Sequence, residues 1–184
     1  WHAVFRDIGP SLLLRFMITM FFAVFSTVGP LYAEKMRELY PLAGVFQSLI
    51  MFPALFAGWY VDYFIRLLGK AHVAYITFII GVFLLLFLGI TTQPIIVGAI
   101  MFVSSIGVSI ALPAISGEVS DYIGKKPDRE RTVESMVDFS MNAGYVVGPI
   151  LAGALAMRFS YLNTLAVFGA LGTVTTIVLM RRRN

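Results

Sequence analysis

The sequence predicts an all-α membrane protein in which residues 1–184 form a single bundle of six transmembrane helices. Three observations predict this fold. Apolar residues make up 59% of the chain and charged residues only 13%, whereas soluble proteins have roughly 45–50% and ~25%. The charges leave five long apolar stretches, and lysine and arginine are unevenly divided between the ends of those stretches. So few charges cannot cover a water-soluble surface, which excludes a soluble enzyme, a disordered chain and a nucleic-acid-binding protein.

The charge-free stretches give the helices in chain order. A membrane-spanning helix needs about 20 mostly apolar residues, so four of the five stretches hold one helix each. The fifth, 71–117, is long enough for two helices and is divided before Pro94, because proline favours the first turn of a helix. These runs are apolar on all sides, unlike the alternating strands of a barrel. The six helices are predicted near residues 11–33, 41–65, 71–91, 94–121, 132–157 and 160–181.

The basic residues predict the orientation in the membrane. An even number of helices puts both termini on the same side. Of the 14 lysines and arginines, all but Lys35, Arg37 and Arg158 fall on that side. The excess of basic residues on cytoplasmic loops therefore predicts cytoplasmic termini for a multi-pass protein of the cell (plasma) membrane. The lipid bilayer is its first predicted partner, and the net charge of +4 requires no anionic partner such as a nucleic acid.

The two halves of the predicted bundle echo each other weakly. Ser26 to Pro30 in helix 1 is similar to Ser109 to Pro113 in helix 4, and helices 2 and 5 each carry a proline followed by Ala-Gly. The two triplets of helices would run in opposite senses across the membrane. Such an inverted three-plus-three arrangement is typical of secondary transporters.

Helix 5 carries the most specific motif. Gly144, Gly148 and Ala152 share one helix face, where small residues let a second backbone approach, and Pro149 removes a backbone hydrogen bond. The alternative is generic packing of small residues. Together with Gly153, this pattern resembles the antiporter motif of the major facilitator superfamily, although the family has glycine where this chain has Ala152.

A second motif lies between helices 2 and 3. Gly58, Asp62 and Arg66 have the spacing of the cytoplasmic loop motif of that superfamily, and Asp62 and Arg66 can pair as i, i+4 neighbours. The resemblance implies that these residues form a gating cluster with an acid from helix 4, either Asp121 or Glu118. The alternative is a set of ordinary interfacial charges.

The resemblance covers nearly the whole chain but only one half of a twelve-helix transporter. It implies that the chain is a fragment and that its main protein partner is the other six-helix half of the same protein. The loop motif has Tyr63 and Ile65 where the superfamily has arginine and glycine. This departure and the absence of arginine from 94–116 favour the carboxy-terminal half. The clean Gly-Pro motif favours the amino-terminal half.

Polar side chains in the predicted helices are the candidates for substrate binding. Ionisable groups inside a bilayer are costly and are therefore functional candidates. Asp138 is the candidate for proton coupling, and its alternative is a solvated helix end. Arg15 is interpreted as extending to the membrane interface. The resemblance implies that helices 1, 2, 4 and 5 line the transport path, whereas helices 3 and 6 face lipid. The candidate binding residues are Gln47, Ser109, Asn142 and Asp138.

These features predict one half of a secondary active transporter. It would move a small solute by alternating access, with protons as the candidate coupling ion and without a cofactor, a metal or covalent chemistry. The alternative is a non-transporting membrane scaffold or assembly subunit. An intramembrane protease is disfavoured because the two histidines, His2 and His72, both lie near helix ends and the one Ser-Gly pair adjoins a loop.

Overall fold

A computed structural model describes residues 2–37 and 44–183, and helices account for nearly all of them. Short 3₁₀ turns cover Leu85–Gly89, after α3, and Pro127–Arg129, before α5. The described ranges contain no strand, which confirms the all-α prediction for this part of the chain. The six α-helices are α1 (His2–Arg37), α2 (Gly44–Leu68), α3 (Lys70–Leu84), α4 (Pro94–Lys125), α5 (Glu130–Ala156) and α6 (Tyr161–Arg183).

Five segments are long and apolar enough to cross a membrane, which supports a multi-pass integral membrane protein. The sixth helix, α2, is not among them, and most side chains of its first two turns lie outside the described residues. The predicted count of six spans therefore stays a prediction. The five segments are Val4–Arg37, Lys70–Gly89, Pro94–Lys125, Pro127–Ala156 and Tyr161–Arg181.

The helices run further than the apolar stretches that predicted them. Helix α1 begins at His2 and includes Arg6, Asp7 and Arg15, whereas a helix was predicted only from residue 11. Charged side chains end the hydrocarbon stretch but not the helix, since a backbone that satisfies its own hydrogen bonds can continue into the interface. Helix α2 ends where Gly69 adopts a φ of 80°, and the Gly69 amide donates to the Ile65 carbonyl at 2.8 Å. A left-handed residue of this kind favours glycine.

Glycines mark the points where helices cross most closely. Helix α1 packs mainly on α5, and α3 packs mainly on α4. A Cβ placed on Gly148 of α5 would lie 2.8 Å from the Met20 carbonyl oxygen of α1. Across the α3–α4 crossing, a Cβ on Gly107 would lie 3.1 Å from the Cα of Gly81. Backbones therefore touch at both crossings, as small residues allow.

The buried core is aromatic where α1, α3 and α6 meet. Phe21 of α1 is 1% exposed. Its ring lies edge-on to Phe78 of α3, with centroids 5.5 Å apart, and to Phe168 of α6 at 6.2 Å. Such edge-to-face pairs are favourable beyond their buried area, so they fix the position of α1 against α3 and α6.

The exposed surfaces are concentrated on α2 and α5. Only 17% of the most apolar window of α5 is buried, against 50% for α3 and 44% for α6. Helix α2 exposes large aromatic side chains, including Trp59, Tyr60 and Tyr63. These two most exposed helices contact mainly α4 and α1, respectively.

Candidate functional site

A polar cluster around Arg15 lies where α1, α4 and α5 converge. Arg15 Nη1 donates a hydrogen bond to Ser116 Oγ of α4 at 2.7 Å, and Nη2 donates to Met141 Sδ of α5 at 3.1 Å. Ser116 in turn donates to the Leu112 carbonyl at 2.8 Å, so its lone pairs face the guanidinium. Arg15 thus joins three helices through one side chain.

The acidic side of this cluster is formed by α5. Asp138 attracts the Arg15 guanidinium electrostatically. No direct ion pair joins Arg15 and Asp138 in the part of the chain that the structure describes. Asp138, Asn142 and Tyr145 are all exposed on α5, and their spacing of three to four residues places them on one helix face. An open polar surface therefore lies beside a half-buried cation.

One nitrogen of the Arg15 guanidinium is buried and takes no part in these hydrogen bonds. This nitrogen, Nε, has no hydrogen-bond partner among the described residues. Guanidinium stays protonated in proteins and offers five donors in a planar fork. An unsatisfied buried donor is costly, so the arrangement suits a group that accepts a hydrogen bond when the site is occupied.

The other predicted binding residues lie apart from this cluster. Ser109 on α4 is 5% exposed, and its buried hydroxyl has no hydrogen-bond partner among the described residues. Gln47 belongs to α2, but its side chain lies outside the described residues. Asn142 and Asp138 are therefore the two predicted binding residues that the structure brings close together, through their shared face of α5.

The predicted gating residues do not form the expected arrangement. Asp62 and Arg66 are both exposed on α2, and the described residues contain no ion pair between them or from either to Asp121. Asp121 instead accepts a hydrogen bond from Lys70 Nζ at 2.6 Å, and Lys70 also reaches the Gly117 carbonyl at 3.3 Å. Lys70 begins α3, directly after the turn, so the basic residue nearest to α4 is Lys70 and not Arg66.

The small residues of the two motifs divide into two groups. A Cβ on Gly144 would approach Thr19 Oγ1 and would lie 2.8 Å from the Phe16 carbonyl oxygen, and Gly148 is equally close to α1. Gly58 and Gly153 have no atom within 4 Å of such a Cβ. Pro149 lies within α5, which continues through it to Ala156.

A network of charges links the start of α1 to the segment between α4 and α5. Asp7 accepts hydrogen bonds from Tyr122 Oη at 2.9 Å and from Lys126 Nζ at 2.7 Å. Arg129 lies 3.6 Å from the same carboxylate oxygen. The Asp7 contact raises the pKa of Lys126. We call Asp7, Tyr122, Lys126 and Arg129 the Asp7 network.

A cavity of about 550 Å³ opens between the Asp7 network and the Lys70–Asp121 pair. Ser11 of α1 and Glu118 of α4 face it and are joined by a hydrogen bond of 3.2 Å. Three helices therefore meet at this end through polar contacts that can break and re-form, in contrast to the glycine contacts at the helix crossings.

Sequence reasoning missed the role of Arg15 and most of these pairs. Arg15 was expected to extend to the interface, but it turns inward to α4 and α5. Its partner Ser116 is 101 residues away in the chain, and Lys70 and Asp121 are 51 residues apart. The available signal was the position of a lone arginine next to an uninterrupted apolar run, which marks a candidate but does not identify its partners.

The comparison with known protein families identifies the chain more closely. A family model described as the BT1 family matches residues 56–184, from the middle of α2 through α6. This match covers more than two thirds of the chain and includes Asp138, Asn142 and the glycines of α5. No curated protein matches the chain.

Proposed function

Because the chain belongs to the BT1 family, a transporter family within the major facilitator superfamily, we propose that it forms one six-helix half of a secondary active transporter. Its helices form an inverted three-plus-three bundle in the plasma membrane, with both termini cytoplasmic. The half moves a small solute by alternating access together with the other half of the same protein, and we assign it to the carboxy-terminal half.

The observation that carries this proposal beyond the family is the Arg15 cluster. A cation held between α1, α4 and α5, with an open polar face on α5, is the kind of intramembrane ionisable site that marks a transport path. Its buried, unpartnered Nε supports direct contact with a bound solute. Ser109 and Gln47 are proposed as further binding residues along the inner helices.

The second half is proposed to cover α2 and α5. These helices are the most exposed of the described helices and carry large apolar side chains on their surface, such as Trp59 and Ile150. Rocking of one bundle against the other around a midplane site requires such surfaces at their contact. Gly58, Asp62 and Arg66 lie on α2, so their gating partners are expected on the second half.

Proton coupling is proposed to act through Asp138. An arginine cannot release its proton at physiological pH, so the coupling is assigned to the carboxyl group on α5 that faces it. Protonation of Asp138 would remove the negative charge that attracts the Arg15 guanidinium and would weaken the electrostatic link between α1 and α5. The proton would thereby shift the equilibrium between conformations, as does any ligand that binds one conformation more tightly than the other.

Alternating access can be tested without knowing the substrate. The chain contains no cysteine, so Asn142→Cys in a cysteine-free version of the complete protein gives one reporter beside Arg15. A membrane-impermeant maleimide should label this cysteine in intact cells, where the reagent reaches only the outer side of the membrane. It should also label it in inverted vesicles, where the reagent reaches only the cytoplasmic side. Labelling from one side only, under all conditions, would contradict alternating access and favour the non-transporting scaffold.

The coupling proposal adds a pH arm to this experiment. The ratio of outside to inside labelling at Asn142→Cys should change with pH, and the additional change Asp138→Asn should abolish that dependence. Glu134→Gln is the matched control, because Glu134 is an exposed acid one turn away on the same helix without a described partner. Unchanged pH dependence in the Asp138→Asn protein would refute the role of Asp138.

A further inference from the structure

A second feature, distinct from the Arg15 cluster, is an apolar groove of about 770 Å³ between α1, α5 and α6. Leu179 of α6 and Met136 of α5 are buried in its floor, whereas Phe5, Leu13 and Phe139 line it and are exposed. Gly9 widens it, because a Cβ there would meet only the Phe5 ring, at 3.5 Å. The groove is thus lined almost entirely by apolar side chains.

The groove offers almost no polar group to an occupant. Ser140 lies in its wall, but its hydroxyl donates to the Met136 carbonyl at 2.9 Å and is satisfied. A wall of this kind suits hydrocarbon chains, which bring no hydrogen-bonding group that would be left unpaired. A solute with several polar groups would be disfavoured here.

The mouth of the groove carries positive charge. Arg6 lines it and is exposed, and in the described part of the chain it has no ion pair. Leu179 of α6 lines the same groove as Arg6, so Arg181, two residues further along α6, lies at the same end of the bundle. By contrast, Lys126 and Arg129 already pair with Asp7.

We propose that this groove binds an anionic phospholipid, with its acyl chains along the apolar floor and its phosphate at Arg6. Basic pockets between helices on the cytoplasmic side are suited to anionic headgroups. The proposal rests on the proposed orientation, which places Arg6 in the cytoplasmic leaflet. There are two alternative occupants. A zwitterionic lipid would fill the same groove without using Arg6, whereas the second half of the protein would cover the groove and exclude both lipids.

Native mass spectrometry of the purified complete protein, titrated with phosphatidylglycerol or with phosphatidylcholine of identical chains, tests this assignment. We expect tighter retention of phosphatidylglycerol. The change Arg6→Gln should weaken phosphatidylglycerol binding roughly fivefold, the effect of one basic residue near a headgroup, and should leave phosphatidylcholine unchanged. Arg158→Gln, which removes an exposed arginine at the opposite end, is the control.

Filling the groove tests its location. Gly9→Leu should lower the retention of both lipids, and Ala143→Leu provides a second obstruction if the first variant does not fold. Gly124→Leu, at a position with open space, is the matched control. Equal retention of the two lipids, equal effects of Arg6→Gln and Arg158→Gln, or no effect of either obstruction would overturn the proposal. Because no transport is measured, these failures leave the transporter proposal standing.

Discussion

The contact between α1 and α5 predicts that Gly144→Ala, which adds only one methyl group, lowers the free energy of unfolding. In Gly144→Ala, the new methyl group would lie 2.8 Å from the Phe16 carbonyl oxygen and 2.9 Å from the Met20 amide nitrogen. Both are backbone atoms and cannot move without displacing α1. Thr19 Oγ1, which is closer still, already donates to the carbonyls of Arg15 and Phe16. Gly144 is a cleaner probe than Gly148, since a Cβ directly before a proline has its own steric cost.

The magnitude follows from two opposing terms. Overpacking typically costs about 1–3 kcal/mol, whereas replacing glycine by alanine inside a helix gains about 1 kcal/mol. Gly153→Ala on the same helix is the matched control, because nothing lies within 4 Å of its Cβ. The helix-propensity gain is common to both variants, so their difference in unfolding free energy should isolate the steric term, about 1–3 kcal/mol.

Thermal unfolding of the purified complete protein in detergent measures this difference. At about 2–4 °C per kcal/mol for a domain of this size, and less for a longer protein, Gly144→Ala should melt measurably below Gly153→Ala. Equal melting temperatures for the two variants would mean that the helices are not in backbone contact at this position. A lower temperature for Gly153→Ala would place the close contact on the wrong face of α5.

Three further predictions concern the charged residues. The single changes Lys70→Asp and Asp121→Lys should each impair transport, because each places two like charges next to one another. The double exchange should restore part of the transport. If the double variant is no more active than the single variants, the pair has no specific role. Asp62→Asn should leave the melting temperature of the bundle unchanged, since Asp62 has no described partner, but should reduce transport if it contacts the second half; wild-type transport would reduce Asp62 to an ordinary interfacial charge. For orientation, Thr92→Cys should react with an impermeant thiol reagent in intact cells and Lys125→Cys should not, and the reverse pattern would invert the proposed topology.

The sequence by itself determined the fold class and the approximate limits of the helices. Charge is expensive in hydrocarbon, so the spacing of charges along the chain reports where helices cross the bilayer without any tertiary information. The same local logic located the Gly144 and Gly148 face, because residues four apart share a face in any helix. The helix ends were underestimated at Arg6 and Asp7 because a helix does not stop where the hydrocarbon does.

Only the tertiary structure decided which polar groups meet. Lys70 rather than Arg66 reaches Asp121, and Arg15 turns to Ser116 and not to the interface. These contacts depend on how α1, α3 and α4 cross. The crossing is set by glycine contacts and interlocking phenylalanines spread over the chain, so it cannot be read from a periodic pattern within one helix. An ion pair between distant residues follows from that packing, since a side chain reaches only a few ångströms from a backbone whose position the rest of the bundle fixes.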